Sequence, residues 1–282
     1  MKKVKLYLNY AGYCVAKEKM AIRNGTGEII KFHALWGLIK HPTQGFILFD
    51  TGYTDRFLSA TKYFPSRIYY LATKVEIPKK EEIVNQLKAH QIAPDEIKHI
   101  VISHFHADHT GGLIDFPNAT IYASSKALNY TLNLNKYSSF TKGVLKDLLP
   151  NDLKERTKCI DQICIRKQDE VFGVKYDLFG DESIYLVDLP GHAKGQLGMQ
   201  LSTEKRNYFL VADAIWLKQS IEKKVLPNPI VRLFFDSWKD YKSTHEKIKI
   251  FHSRYPETLI VPTHCHQTTR DLVQPIINFD VL

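Results

Sequence analysis

The chain has 282 residues, and its 44% hydrophobic and 24% charged residues are the balance of a folded globular protein, which argues against long disordered stretches. The formal net charge is +9, but lysines and arginines are scattered in runs no longer than pairs, so a nucleic-acid partner is not expected. Charged residues interrupt the first twenty positions and no run of about 18 apolar residues occurs, so we expect a cytoplasmic protein with no membrane segment.

In the first half of the chain, apolar runs bounded by turn residues predict strands, and a Pro-Thr-Gln-Gly sequence between two of them predicts a hairpin. A helical spacing of apolar residues follows Pro78, and a buried strand then runs directly into a histidine-rich segment. The predicted strands are 4–8, 34–39, 46–49 and 99–103, the hairpin turn is 42–45, and the helix is 81–90.

The second half also mixes strands and helices, and no low-complexity linker separates the two halves. We therefore expect one layered α/β domain over residues 1–282. The predicted strands are 120–122, 184–187, 208–211 and 259–261, and the predicted helices are 124–132 and 238–254.

Two segments do not fit this regular pattern. Residues 53–78 are crowded with aromatic side chains, and residues 135–158 form a charged, amphipathic stretch that we expect to be an inserted helical excursion. Both are candidate lids over a site for an apolar ligand. Packing on the sheets or against a second subunit, as in a homodimer, explains the same composition equally well.

The strongest chemical signal is the heptapeptide Ser103-His104-Phe105-His106-Ala107-Asp108-His109, which directly follows a predicted strand. Alternate residues of an extended segment point to the same side, so His104 and His106 can bind one cation together. Asp108 and His109 follow as the chain turns and can face a second cation. Imidazole nitrogen and carboxylate oxygen are ligands preferred by zinc and similar divalent metals, so a metal site is favoured over a chance cluster.

Four further motifs each follow an apolar strand, and each alone is a modest signal. A histidine in a glycine-rich turn is usually only a turn residue, and a lone aspartate at a strand end is usually a cap. Their order around the first motif makes the set specific. The motifs are Asp50-Thr51-Gly52, Pro190-Gly191-His192, Ala212-Asp213 and Pro262-Thr263-His264.

This ordered set resembles the metallo-β-lactamase superfamily over nearly the whole chain. The resemblance implies an α/β fold, a four-layer αββα sandwich with a site for two metal ions at one edge between the sheets. Asp50 matches an acidic residue that supports such sites from outside the ligand set. The implied ligands are His104, His106 and His192 for the first metal, Asp108, His109 and His264 for the second, and Asp213 as the bridge.

The resemblance also implies a hydrolase that uses a metal-bridging hydroxide, because two nearby divalent ions lower the pKa of a shared water. Asp213 would hold the ions in place, and Asp108 would orient the nucleophile and pass a proton to the leaving group. We expect zinc, with iron, manganese or cobalt as alternatives that the same ligands accept.

For the substrate, the motif spacing is most similar to N-acyl homoserine lactonases, which predicts hydrolysis of a lactone or other carboxylic ester. Such lactonases usually carry a tyrosine three residues after the bridging aspartate, where this chain has Trp216. Trp216 would contact the substrate or wall the pocket, and Lys194 could meet an anionic group of the substrate.

Three other activities share these metal motifs. One is a phosphodiesterase or nuclease, which the basic charge would suit, and another is a thioester hydrolase like glyoxalase II. The third is an iron-dependent enzyme similar to persulfide dioxygenases. A purely structural metal site is disfavoured, because seven apparent ligands exceed the four of a closed structural zinc site.

Overall fold

Twelve strands form two six-stranded sheets in the computed structural model, which describes residues 2–274 and 277–278. The first sheet contains β1 to β6 in sequential order, and the second has the order β12-β11-β10-β9-β8-β7. The strands are β1 Lys5–Lys17, β2 Ile29–His41, β3 Gly45–Phe49, β4 Ile97–Val101, β5 Thr120–Ala123, β6 Thr157–Cys159, β7 Ile165–Asp169, β8 Gly173–Asp177, β9 Ile184–Asp188, β10 Leu197–Ser202, β11 Asn207–Ala212 and β12 Leu259–Pro262.

Helices connect these strands and cover the sheets. In the described ranges they are α1 Glu18–Ala21, α2 Arg56–Ala60, α3 Arg67–Thr73, α4 Ile83–Ala89, α5 Ala107–Thr110, α6 Ser125–Asn133, α7 Leu153–Arg156, α8 Ile160–Ile163, α9 Gln219–Glu222, α10 Trp238–Arg254 and α11 His266–Leu272. Short 3₁₀ turns lie at Lys79–Glu81, Pro94–Glu96, Leu113–Asp115, Ser139–Lys142, Lys146–Leu148 and Pro229–Phe234. No helix in the part of the chain described is long and apolar enough to cross a membrane.

Strand directions bring several strand ends to one edge of the molecule. In the first sheet β1, β2 and β3 pair antiparallel, whereas β3, β4, β5 and β6 pair parallel. In the second sheet β9, β10 and β11 pair antiparallel and β12 pairs parallel with β11. The carboxyl ends of parallel strands share an edge, and catalytic loops concentrate at such an edge in α/β folds.

Three apolar clusters define the layers. The inner cluster joins both sheets, with Leu6 and Phe49 of the first packed in one core with Leu186 and Leu210 of the second. A second cluster packs α4 and α6 on the outer face of the first sheet, and a third packs α10 on the outer face of the second. The four-layer αββα arrangement expected from the sequence is therefore confirmed.

Most predicted elements occur, with different lengths. The 42–45 turn does connect β2 to β3 as a hairpin. Both β1 and β2 extend to 13 residues, because they pair along almost their entire length around a bulge between Tyr10 and Tyr13. Residues 135–158, expected to be a helical excursion, contain short 3₁₀ turns and the four-residue α7, and their last two residues begin β6.

His41 links the two sheets through buried hydrogen bonds. Its Nδ1 accepts from the backbone N–H groups of Thr43 and Gln44 at 3.1 Å each, within the β2–β3 turn. Its Nε2 lies 2.8 Å from the Ser183 hydroxyl and 3.2 Å from an Asp181 carboxylate oxygen, both in the loop before β9. Burial lowers the pKa of His41 below its usual 6.5, although Asp181 opposes this, so the ring is neutral and can accept at Nδ1.

Replacing this link should destabilise the protein. We expect His41→Ala to lower the free energy of unfolding by roughly 2–3 kcal/mol, because it removes the buried hydrogen bond to Ser183 and leaves the Thr43 and Gln44 N–H groups without their acceptor. Thr43→Ala, an exposed change in the same turn, should stay within about 0.5 kcal/mol. Urea unfolding of both variants measures the difference, and equal midpoints would show that His41 does not link the sheets.

The same histidine should also make stability depend on pH. Its folded-state pKa is below the unfolded value, so its contribution is fully present above about 6.5 and is lost progressively as pH falls from there through the lower folded-state pKa. The difference in unfolding free energy between the wild type and His41→Ala should therefore be smaller at pH 5.5 than at pH 7.5. A constant difference would contradict this account.

Candidate active site

All five sequence motifs lie at the edge where the strand ends meet. Asp50 follows β3, the histidine-rich segment follows β4, and Asp213 and His264 follow β11 and β12. His192 lies in the connection from β9 to β10, on the same edge because β9 runs in the direction of β11. A hydrogen bond of 2.9 Å from the Leu197 N–H to the Ser103 carbonyl joins the two sheets there.

The structure brings the predicted ligands together in two groups. His104, His106 and His192 form one group, in which one nitrogen of each ring lies within 4.8 Å of the others. Donor atoms within the same distance also form a second group, which comprises Asp108, His109, Asp213 and His264. Six of these seven side chains are buried and His106 is half-buried, so the donor atoms are largely withdrawn from bulk water.

Asp213 lies between the two groups. Its Oδ2 is 3.3 Å from Nε2 of His192 in the first group and 3.0 Å from Nε2 of His264 in the second. Its Oδ1 is 3.3 Å from Nε2 of His109. Asp108 also approaches His264, at 3.3 Å. One carboxylate thus reaches donors of both groups.

Hydrogen bonds from outside the groups orient the rings. Asp50 accepts from the Ser103 N–H and hydroxyl at 2.8 Å each, and its Oδ2 lies 2.8 Å from Nδ1 of His109. His264 directs its Nδ1 at the backbone carbonyl of His33, at 2.9 Å. In both histidines this leaves Nε2 facing the cluster, so the tautomer and ring orientation suit a ligand to a cation.

Two non-glycine residues at this edge have left-handed backbone conformations. Asp50 has φ 57° and Ala212, directly before Asp213, has φ 48°. Aspartate tolerates this region, but alanine adopts it at a cost of about 1 kcal/mol. Ala212 is the last residue of β11 and pairs with β12 just after a register shift, and its carbonyl accepts from the N–H of Thr263. Strain of this kind is typical of functional sites.

The first group consists of neutral imidazoles. Burial lowers the pKa of His104 well below 6.5, that of His106 to about 4 and that of His192 to about 3. The neighbouring histidines add to this effect in His104. Neutral rings retain the lone pair that a metal ion requires.

The second group is dominated by its carboxylates. Burial alone would lower the pKa of His109 and His264, but Asp108 and Asp213 raise both well above 6.5. Burial would likewise raise the pKa of Asp108, but His109 and His264 lower it to about 2. The carboxylates of Asp108 and Asp213 are thus ionised, and because they are buried they are stable only with positive charge beside them.

The unpartnered atoms of the site fit divalent cations. Within residues 2–274 and 277–278, buried atoms without a hydrogen-bond partner include Nε2 of His104, Nε2 of His109 and Oδ1 of Asp213. Buried polar atoms rarely stay unpaired, and here all three belong to the donor groups. With an imidazole and carboxylate donor set, the cluster is suited to two divalent metal ions.

The two predicted substrate contacts occupy different surroundings. Trp216 is half-buried beside the cluster, and its indole N–H donates to Oδ2 of Asp213 at 3.2 Å. Lys194 is 48% exposed and its Nζ lies 3.5 Å from Asp236. Both Lys194 and Asp236 line a cleft that reaches His106 and His192.

The 135–158 segment reaches the site through Gly143. The Gly143 carbonyl accepts from the Ala107 N–H at 3.0 Å, and a Cβ on Gly143 would lie 2.6–2.8 Å from His106 ring atoms. Gly143 has φ 71°, in the left-handed region. A side chain is therefore excluded here both by the His106 ring and by the backbone conformation.

Several contributors to the site were not predicted from the sequence. Gly143 and His33 act through a backbone carbonyl or close packing, which carries no motif. Phe235 packs on His192 with ring centroids 5.0 Å apart, although 43 positions separate them. Gly143 follows the aromatic residue Phe140 by three positions, which could have drawn attention to this glycine. Nothing in the sequence, however, pairs Gly143 with His106.

The αββα fold and the two donor groups at its edge together identify the superfamily to which the chain belongs. The model of the metallo-beta-lactamase superfamily matches residues 30–266, which include all seven donor residues and Asp50. The chain belongs to this superfamily.

Within it, the chain is similar to named lactonases. It is 25% identical over 262 residues to the N-acyl homoserine lactonase AttM of Rhizobium radiobacter, covering 92% of this chain and 93% of the relative. It is 24% identical over 223 residues to AiiA of Bacillus thuringiensis subsp. kurstaki, covering 78% and 80%.

Solved structures share the fold. An N-acyl homoserine lactone hydrolase with the product N-hexanoyl-L-homoserine at its catalytic metal center has a TM-score of 0.74 at 21% identity, covering 98% of this chain and 99% of that one. The dizinc quorum-quenching lactonase AidC has a TM-score of 0.61 at 15% identity, covering 94% and 90%.

A methyl group at Gly143 should disturb His106. We expect Gly143→Ala to weaken divalent-metal binding about ten- to hundredfold, the usual loss when a ligand's surroundings are altered. Equilibrium dialysis against Co²⁺ or Zn²⁺ measures the affinity.

Gly173→Ala is the matched control. Gly173 also has a left-handed φ, 88°, but its Cβ would meet no atom within 4 Å. This variant shares the backbone strain and lacks the collision, so it should bind metal as the wild type does. Equal weakening in both variants would show that contact with His106 is not the cause.

Proposed function

We propose that this protein is a dinuclear metal hydrolase that opens the lactone ring of N-acyl homoserine lactones or closely related carboxylic esters. The observation that carries the proposal is the pair of donor groups joined by Asp213 at the edge between the sheets. The similarity to AttM and AiiA over most of the chain supports the substrate class.

In this proposal one ion would be held by His104, His106 and His192, the other by Asp108, His109 and His264, and Asp213 would contribute to both. Zinc is the expected metal, because AidC is a dizinc enzyme and imidazole with carboxylate suits zinc. When bound, two such ions would activate a water and polarise the carbonyl of the substrate.

Asp50 keeps His109 oriented through the bond to Nδ1, and the His33 carbonyl does the same for His264. Rings held in this way need no reorganisation when a ligand arrives.

Asp108 is placed to handle protons. Its carboxylate is ionised, since its pKa is about 2, so it can accept a proton, and it is only 7% exposed. We propose that it accepts a proton from the attacking water and later delivers one to the alkoxide oxygen that leaves when the ring opens.

The proposal leads first to a measurement of metal content. Purified protein should contain close to two equivalents of divalent metal and hydrolyse N-acyl homoserine lactones, while phosphodiesters, glutathione thioesters and persulfides should not turn over. Fewer than two equivalents after reloading, with no lactone hydrolysis, would refute it. Turnover of one of the other classes in place of lactones would identify a related activity.

Removing one donor should abolish this activity. His106→Ala should lose one equivalent of metal and at least a hundredfold in kcat/KM, because the remaining ligands leave one ion underbound. His266→Ala is the control: His266 is half-buried two positions after His264 but belongs to neither donor group. It should retain both metals and most activity.

Asp108→Asn tests the proton transfer in the fraction of the protein that still holds two metal ions, because Asp108 is also one of the proposed ligands. The amide keeps the size of the side chain but cannot accept a proton, so kcat should fall by about 10²–10⁴-fold, a range typical of general acid–base groups. Steady-state kinetics with metal content measured on the same sample gives the comparison. A variant with two metals and wild-type kcat would remove Asp108 from the proton transfer.

A further inference from the structure

The indole of Trp216 contacts the central carboxylate of the site. Its Nε1–H donates to Oδ2 of Asp213 at 3.2 Å, three residues along the chain. An indole has one donor and no acceptor, so this bond uses its whole hydrogen-bonding capacity. The N–H is therefore directed at a protein carboxylate and not at a substrate.

Aromatic rings on three sides hold the indole in place. Phe32 and Phe235 meet it edge-on, with centroids 6.2 Å and 5.3 Å away, and the His192 ring lies at 5.8 Å. Phe235 is itself packed on Tyr241, at 4.6 Å. Edge-to-face packing of this kind fixes the orientation of a ring, so the direction of the N–H is set before any ligand binds.

The bond determines how the carboxylate of Asp213 is oriented. The carboxylate has to present oxygens to His192 on one side and to His109 and His264 on the other. Oδ2 is held by Trp216 and lies 3.0 Å from Nε2 of His264, whereas Oδ1 makes no hydrogen bond in the described part of the chain and has Nε2 of His109 nearby, at 3.3 Å. A carboxylate with one oxygen fixed and the other unpaired is prepared to join two ions.

We propose that Trp216 is a positioning residue: through its N–H it fixes Asp213 in the orientation that bridges the two donor groups, and so sets the affinity for the second divalent ion. This inference rests on the proposed two-metal function. It also gives position 216 a role other than the substrate contact expected from the sequence, because the N–H acts on Asp213.

Two substitutions with opposite properties distinguish hydrogen bonding from packing. Trp216→Phe keeps an aromatic ring in the cage and removes the donor. Trp216→Gln keeps an N–H donor at a similar distance from the backbone and removes the ring. If the hydrogen bond matters, Phe is the more damaging change; if only packing matters, Gln is.

The measurement is a titration of metal-free protein with Co²⁺, followed by the visible absorption of the bound ion, which does not depend on turnover. We expect Trp216→Phe to bind the second equivalent about ten- to hundredfold more weakly than the wild type. Trp216→Gln should lose less than about threefold, and thermal unfolding of the metal-free variants checks that each is folded.

Trp238→Phe serves as the matched control. Trp238 is half-buried and stacks on Tyr241 at 5.4 Å, in the same aromatic region, but its ring reaches Asp213 in none of the contacts described. It should bind Co²⁺ as the wild type does.

The outcomes separate the two proposals. If the wild type binds two equivalents and Trp216→Phe binds them equally well, or Trp216→Gln is weakened as much as Phe, the positioning role is refuted and the proposed function stands. If the wild type itself binds fewer than two equivalents, the proposed function fails first.

Discussion

Three carboxylates buried in one cluster are the constraint on which this molecule depends. Asp50, Asp108 and Asp213 are at most 7% exposed, and burying a carboxylate costs several kcal/mol unless positive charge lies beside it. His109 and His264 supply part of this positive charge, because the carboxylates raise the pKa of both rings. The histidines of the other group are neutral and have lone pairs to offer. Together the two groups form a site that is completed by cations.

The fold supports this cluster by packing the two sheets face to face, so that each contributes part of the site. The first sheet supplies Asp50 and the segment after β4, whereas the second supplies His192, Asp213 and His264. Neither sheet holds a complete set, so assembly of the site requires packing of the inner apolar cluster. His41 and the bond from Leu197 to Ser103 tie the sheets together at separate places. Folding and metal affinity should therefore be coupled, as in other proteins whose ligands converge only in the native state.

The residues that surround the two donor groups include contacts particular to this chain. At position 216 the indole is directed at Asp213, and an aromatic cage from distant parts of the chain keeps it there. On the opposite side Gly143 allows the 135–158 segment to approach the His106 ring directly. That the 53–78 and 135–158 segments act as lids stays a prediction. Through the contact between Gly143 and the His106 ring, a movement of the 135–158 segment would be transmitted to the metal site.

The sequence by itself predicted eight of the twelve strands, the helices α4, α6 and α10, and the residues that the structure brings into the two donor groups. Their signal is local: an apolar run buries a strand, and a polar cluster at its end remains near the sheet edge. His104, His106, Asp108 and His109 could be predicted for this reason, and the resemblance carried by the ordered motifs implied that His192, Asp213 and His264 join them. Only the tertiary structure decided that Trp216 bonds to Asp213, that His33 orients His264 through its carbonyl, and that 135–158 contains short turns. These contacts join residues by distance and direction, and packing sets both, so no periodicity or spacing along the chain records them.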